Sequence, residues 1–155
     1  MTIDELHAAL AESLAHGTAG VPVALRIHLQ YSDPRTDLFR GWAAALGMAE
    51  TAFSNTRLTK LFAQRESNGG QLNVLVTYSG GQTLLVTSGR GSAARPSLDL
   101  VLVANRGIVR LEGEEFFEPD EFDPDHVDPI GRHQDHWHAA IERSLREHAA
   151  VDVDV

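Results

Sequence analysis

Apolar residues recur at helical spacing at the very start of the chain. Ile3, Leu6, Leu10 and Leu14 fall on one stripe, with Thr2 as N-cap and Glu5 three places on, the arrangement of a capping box. A helix over residues 2–15 follows, stopped by His16-Gly17. From Val23 the period shortens to two. Val23, Leu25, Ile27, Leu29 and Tyr31 should share one face of a strand, and Arg26, His28 and Gln30 the other. Asp33-Pro34 marks a turn, and the alanine-rich stretch from Thr36 to Leu46 predicts a second helix closed by Gly47.

Beyond Thr51 the pattern becomes a train of strands, at about 51–65, 71–78, 83–88, 98–104 and 107–112. Asn68-Gly69-Gly70, Ser79-Gly80-Gly81 and Asn105-Arg106-Gly107 separate members of this train, and short turns of this kind close antiparallel hairpins. The stretch Glu112 to Asp128 holds nine carboxylates and reads as an exposed loop. Residues 132–148 place Trp137, Ala140, Ile141, Leu145 and His148 near one side of a closing helix, and 151–155 read as a polar tail. The fold class this predicts is α+β: one domain over 1–150, a mostly antiparallel open sheet with helices on one face. Strands 71–78, 83–88 and 98–104 are rich in Val, Leu and Thr on both parities, so which residues face the helices stays open, and the face left over is expected to be covered by a second copy or a partner.

Composition narrows the chemistry. At 155 residues, 43% hydrophobic and 23% charged, the chain suits one globular core. It has no run long enough to span a bilayer and its first residues lack the basic flank and apolar core of a signal peptide, so a cytoplasmic location is expected. The absence of cysteine excludes disulfides and thiolate chemistry. A net charge of −9 argues against nucleic acid, whose phosphates call for clustered Lys and Arg. Lys60 is the lone lysine among 13 basic residues, and the wealth of Arg and Ala suggests a GC-rich bacterial genome.

The densest group of metal-type ligands is His133, Asp135, His136 and His138, with His126 and Asp128 upstream. On a helix His133 and His136 adjoin while His138 points away, and no second ligand pair stands at matching spacing, so a polar first turn is the better reading and no metal is expected. The serines at 32, 54, 79, 88, 92 and 97 sit in no nucleophile elbow, and the glycine-rich stretches Ser79-Gly80-Gly81 and Ser88-Gly89-Arg90-Gly91 lie between strands, where they offer no helix N-terminus to a phosphate. Arg26 and His28, on the non-core side of their strand, are candidate ligand or interface contacts, although side chains in that position are more often simply solvated.

The order of features carries a resemblance. An initial helix, then Gly17-x-x-Gly20-Val21-Pro22-Val23-Ala24-Leu25-Arg26, then a helix ending Ala45-Leu46-Gly47, then a sheet, resembles the C-terminal domain of the Gfo/Idh/MocA family, the glucose-fructose oxidoreductases and inositol dehydrogenases. The run Leu72 to Leu85 around Ser79-Gly80-Gly81, and Leu98 to Leu111 around Asn105-Arg106-Gly107, are similar to that family's successive hairpins. The resemblance implies NAD(P) chemistry on a separate Rossmann domain, yet no Gly-x-Gly-x-x-Gly and no Glu-Lys-Pro lysine precedes residue 2. Where the family carries its catalytic Asp and His, this chain has Tyr31-Ser32-Asp33-Pro34-Arg35-Thr36-Asp37. Asp33 and Asp37 remain as possible contacts with no histidine between them, and no catalytic or cofactor-binding residue is carried over.

The function expected on these grounds is that of a stand-alone relative of an oxidoreductase C-terminal domain, acting as a non-catalytic partner, a scaffold or a small-ligand binder. It would hold no cofactor of its own and would form a homo-oligomer or pair with a Rossmann-type subunit. A split NAD(P)-dependent oxidoreductase, with the dinucleotide supplied by that subunit, is the enzymatic alternative, and an α+β cone enclosing a small molecule is the third.

Overall fold

The computed structural model describes residues 3–31, 36–67, 71–90, 97–114 and 134–153. The elements run α1 (Ile3–His16), β1 (Pro22–Tyr31), α2 (Thr36–Ala52), β2 (Leu58–Arg65), β3 (Gln71–Tyr78), β4 (Thr83–Arg90), β5 (Ser97–Ala104), β6 (Ile108–Glu114), α3 (Gln134–Glu147) and β7 (Val151–Asp152). The strands form one sheet in the order β6-β5-β1-β4-β3-β2-β7. Only β1 and β4, at its centre, run parallel, because α2, β2 and β3 intervene between them in the chain; every other pair is antiparallel.

α1 begins where expected and buries Leu6 and Leu10 completely; the capping residue Thr2 lies outside the described residues. α2 departs from expectation. It continues past Gly47 to Ala52, so β2 starts at Leu58 and not near 51. An internal glycine costs a helix about 1 kcal/mol relative to alanine, and each buried large apolar side chain returns about 1.5–3 kcal/mol. Met48, Ala49, Ala52 and Phe53 continue the buried stripe begun by Trp42, Ala45 and Leu46, and that burial outweighs the glycine.

Alternation along the strands resolves which set faces the helices. Leu25, Ile27 and Leu29 of β1, Val74 and Val76 of β3, Leu84 and Val86 of β4, and Leu100 and Leu102 of β5 are all buried, joining the core under α1, α2 and α3. Val23, expected with that set, is instead 49% exposed, since the β1–β5 register slips between Pro22 and Ala24 and the strand end lies beyond the helices' cover. β6 reaches Glu114, into the stretch read as an acidic loop; the rest of that stretch lies outside the described residues.

The end of the chain also differs from expectation. Val151 and Val153 are buried, and β7 pairs antiparallel with the outer edge of β2, so this segment is a short edge strand and not a polar tail. Two apolar side chains spaced two apart suffice to seat it, with Asp152 between them turned to solvent.

Candidate interaction surface

With the helices on one face, the other face of the sheet presents the opposite parity of each strand, and the register lines these residues up in rows. The row nearest the β3–β4 and β5–β6 hairpins runs Asp152, Lys60, Thr77, Thr83, Ala24, Val103, Ile108. The next runs Phe62, Leu75, Leu85, Arg26, Val101, Arg110. A third, towards the other end of the strands, runs Gln64, Asn73, Thr87, His28, Asp99, Glu112, and beyond it lie Gln71, Gly89, Gln30, Ser97 and, by register, Glu114.

The face is therefore divided across the strand direction. Its hairpin half carries the exposed apolar side chains, Phe62 at 36%, Leu75 at 40%, Val103 at 38% and Ile108 at 58% exposure, with Leu85 and Val101 half-buried among them. The other half is polar throughout. There Gln71 Nε2 donates to Asn73 Oδ1 at 3.1 Å, and the Gln30 amide lies 3.4 Å from His28 Nε2. Charge is distributed as unevenly: β3 and β4 place no charged residue on this face, while Lys60, Arg26 and Arg110 stand in the apolar rows with Asp152 of β7 beside Lys60, and Asp99 and Glu112 stand in the polar one. The apolar rows carry one cation at their middle, Arg26 of β1, with the other charges set around them, and apolar, aromatic and Arg side chains are the types enriched at the core of a protein–protein interface.

Of the residues singled out from sequence, the structure brings Arg26 and His28 onto this face, Arg26 exposed and His28 half-buried, in adjacent rows of β1. Asp33 lies outside the described residues, and Asp37 falls in α2 with its side chain outside them. In the histidine-rich stretch, His133 and the side chain of His136 lie outside the described residues, while His138 is exposed with Nε2 3.7 Å from Glu142. Among the described residues no three His, Asp or Glu groups come together to hold a metal ion, and no helix is long and apolar enough to cross a membrane.

The resemblance named above implies a dinucleotide, and the described glycine turns do not fit one. Ser79-Gly80-Gly81 joins β3 to β4 and Asn105-Arg106-Gly107 joins β5 to β6, strand to strand, whereas a pyrophosphate is received at the N-terminus of a helix that follows a strand. Sequence reasoning did not single out Phe62, Leu75, Leu85, Val101, Val103 or Ile108. The signal was present in the consecutive apolar runs Leu84-Leu85-Val86 and Leu100-Val101-Leu102-Val103, which exceed what one buried face requires.

No protein-family model matches the sequence, and no curated protein matches it. Solved structures do match in fold. A putative myo-inositol dehydrogenase from Sinorhizobium meliloti superposes with a TM-score of 0.73 at 12% identity, over 96% of this chain and 62% of that one. A probable dehydrogenase from Thermotoga maritima gives 0.71 at 14% identity, covering 95% and 61%. The scyllo-inositol dehydrogenase of Lactobacillus casei, solved with NAD(H) and scyllo-inositol, gives 0.71 at 10%, again covering 95% and 61%. The fold thus matches the α+β C-terminal domain of Gfo/Idh/MocA-type oxidoreductases. The chain spans only about three-fifths of the length of the dehydrogenases it matches.

Proposed function

We propose that this chain is the assembly side of an oxidoreductase-type architecture: a non-catalytic scaffold domain that associates with a second copy of itself through the open face of its sheet. The observation that carries the reading is the row Phe62, Leu75, Leu85 and Val101, apolar and turned away from the helices. Exposed apolar area of this kind is stabilised by burial at about 25 cal/mol per Å², and in a chain of net charge −9 the face on which copies can meet must itself escape the general acidity. This face does so: its described side chains balance three cations, Lys60, Arg26 and Arg110, with three carboxylates, Asp99, Glu112 and Asp152. Any NAD(P) chemistry would then lie outside this domain.

Light scattering at micromolar concentration tests the reading. The expected mass exceeds the 16.9 kDa of one chain, and Leu75→Arg with Leu85→Arg together return it to the monomer while leaving the far-ultraviolet circular dichroism unchanged. A wild-type chain that stays monomeric over a wide concentration range overturns the proposal.

A further inference from the structure

We infer that the outer edge of β6 is a second interaction surface, to which β6 of another copy adds as an antiparallel strand, with Leu111 on the two-fold axis and Arg110 of each copy opposite Glu112 of the other. This goes beyond the association proposed above, since it uses the rim of the sheet and not its open face.

The two rims are finished differently. On β2 the edge groups are occupied: the Thr59 carbonyl accepts the Val153 N–H at 3.0 Å, β7 pairs with Lys60 and Leu61, and Ser144 accepts the Ala63 N–H at 2.8 Å. On β6 they are open. The Ala104 N–H donates to the Gly107 carbonyl at 2.9 Å, so the β5–β6 hairpin closes on a hydrogen-bonded pair and the bonded pairs alternate from there. Val109 and Leu111 thus bond to β5, and the N–H and C=O groups of Ile108, Arg110 and Glu112 are directed away from it. β6 ends the strand order, and among the described residues no strand stands beside it. A row of such groups is a template for another strand.

Charged side chains on an edge commonly keep other chains off, so the register decides whether these admit a copy. Only outward-directed groups bond across the edge, so even-numbered positions must meet even-numbered positions about an axis perpendicular to the sheet. An axis at Arg110 or at Glu112 sets that residue against itself, like charge on like, and pairs five of the seven residues of β6; an axis nearer either end pairs at most three. An axis at Leu111 pairs all seven and opposes Arg110 to Glu112 twice. The longest register is therefore also the charge-complementary one. On the helix side it brings Leu111 to Leu111, and Val109 and Leu111, half-buried against the core, carry that apolar layer across the junction. A strand edge buries far less than the roughly 1,200 Å² of a stable interface, so the contact is weak and forms above the micromolar range.

The test is made on the full chain carrying Leu75→Arg and Leu85→Arg, which keep open faces apart. The chain has no cysteine, so introduced thiols report position without background. Opposed residues of antiparallel strands stand about 4.5–5.5 Å apart between Cα atoms, within disulfide range. Leu111→Cys is expected to oxidise to a covalent dimer. Mixing Arg110→Cys with Glu112→Cys gives the dimer of one of each, and neither links to itself. Without thiols, light scattering at about 0.5 mM chain should show dimers, severalfold fewer with Arg110→Glu or Glu112→Arg alone and restored when both are present. Self-linking of Arg110→Cys or Glu112→Cys in place of the mixed product overturns the register. Equal linking at all three positions marks random collision and overturns the pairing, as does a chain that stays monomeric at this concentration and forms no disulfide. Scattering of the wild type at micromolar concentration reports on the open face, so either proposal can fail while the other stands.

Discussion

Ser144 of α3, itself fully buried, accepts the backbone N–H of Ala63 of β2 at 2.8 Å and donates its own proton to the carbonyl of Ala149 at 2.6 Å. β7 pairs only with Lys60 and Leu61, so further along β2 the edge N–H of Ala63 has no strand beside it, and a serine side chain stands in for one. The same hydroxyl caps the exit of α3 and so joins the helix, the edge strand and the turn into β7.

Ser144→Ala therefore orphans a buried donor and a carbonyl at once. The expected loss is about 1–3 kcal/mol, and for a chain of this size a lowering of the melting temperature by several degrees. Thermal denaturation followed by circular dichroism checks it; an unchanged midpoint would mean that water replaces the hydroxyl at no cost.

Gly20 and Gly81 share a positive φ of +86° and have different surroundings. A Cβ at Gly81 meets nothing within 4 Å, whereas one at Gly20 would lie 2.0 Å from Asn105 Oδ1, the atom that accepts the Val21 N–H at 2.8 Å. Both alanine variants carry the left-handed backbone cost of about 1–2 kcal/mol. Gly20→Ala should carry a further loss, because it pushes Asn105 off the contact that seats the β5–β6 turn on the start of β1. Denaturant midpoints of the two variants measure the difference, and equal destabilisation would show that Asn105 yields freely.

Tyr78 is buried with its ring edge-on to Phe53, centroids 5.1 Å apart, and burial, with Glu50 adding to it, holds the phenol protonated well above the usual range. Below about pH 10, the ordinary tyrosine value, the phenol is neutral folded and unfolded alike and its contribution is complete. Above it the unfolded chain releases the proton and the folded chain does not, so stability falls as pH rises, by up to about 1.4 kcal/mol per unit. Unfolding midpoints between pH 9 and 11 should drop more steeply in the wild type than in Tyr78→Phe. Parallel curves would contradict this.

Isothermal titration of the isolated chain with NADH or NADPH should give no binding heat. The turns Ser79-Gly80-Gly81 and Asn105-Arg106-Gly107 both return a strand to its neighbour, which leaves their amides without a following helix to complete a pyrophosphate site. Micromolar binding would require a cradle of another design.

Features governed by neighbours in the chain were legible from sequence. The stripe of α1, the strands after residue 57 and the hairpins at Gly80-Gly81 and Gly107 all rest on side-chain period and turn chemistry, which act over a few residues. So was the presence of Arg26 and His28 on a shared face away from the core. The outward row of Phe62, Leu75, Leu85 and Val101 was not, since Leu84-Leu85-Val86 is apolar at both parities and alternation alone gives such a strand no inside. That was decided by which side α1, α2 and α3 cover. The passage of α2 through Gly47, the parallel pairing of β1 with β4 and the docking of Val151 and Val153 were likewise decided by tertiary contacts. In each case burial against residues distant in the chain outweighs a local preference of about 1 kcal/mol, and no short window of sequence contains both partners.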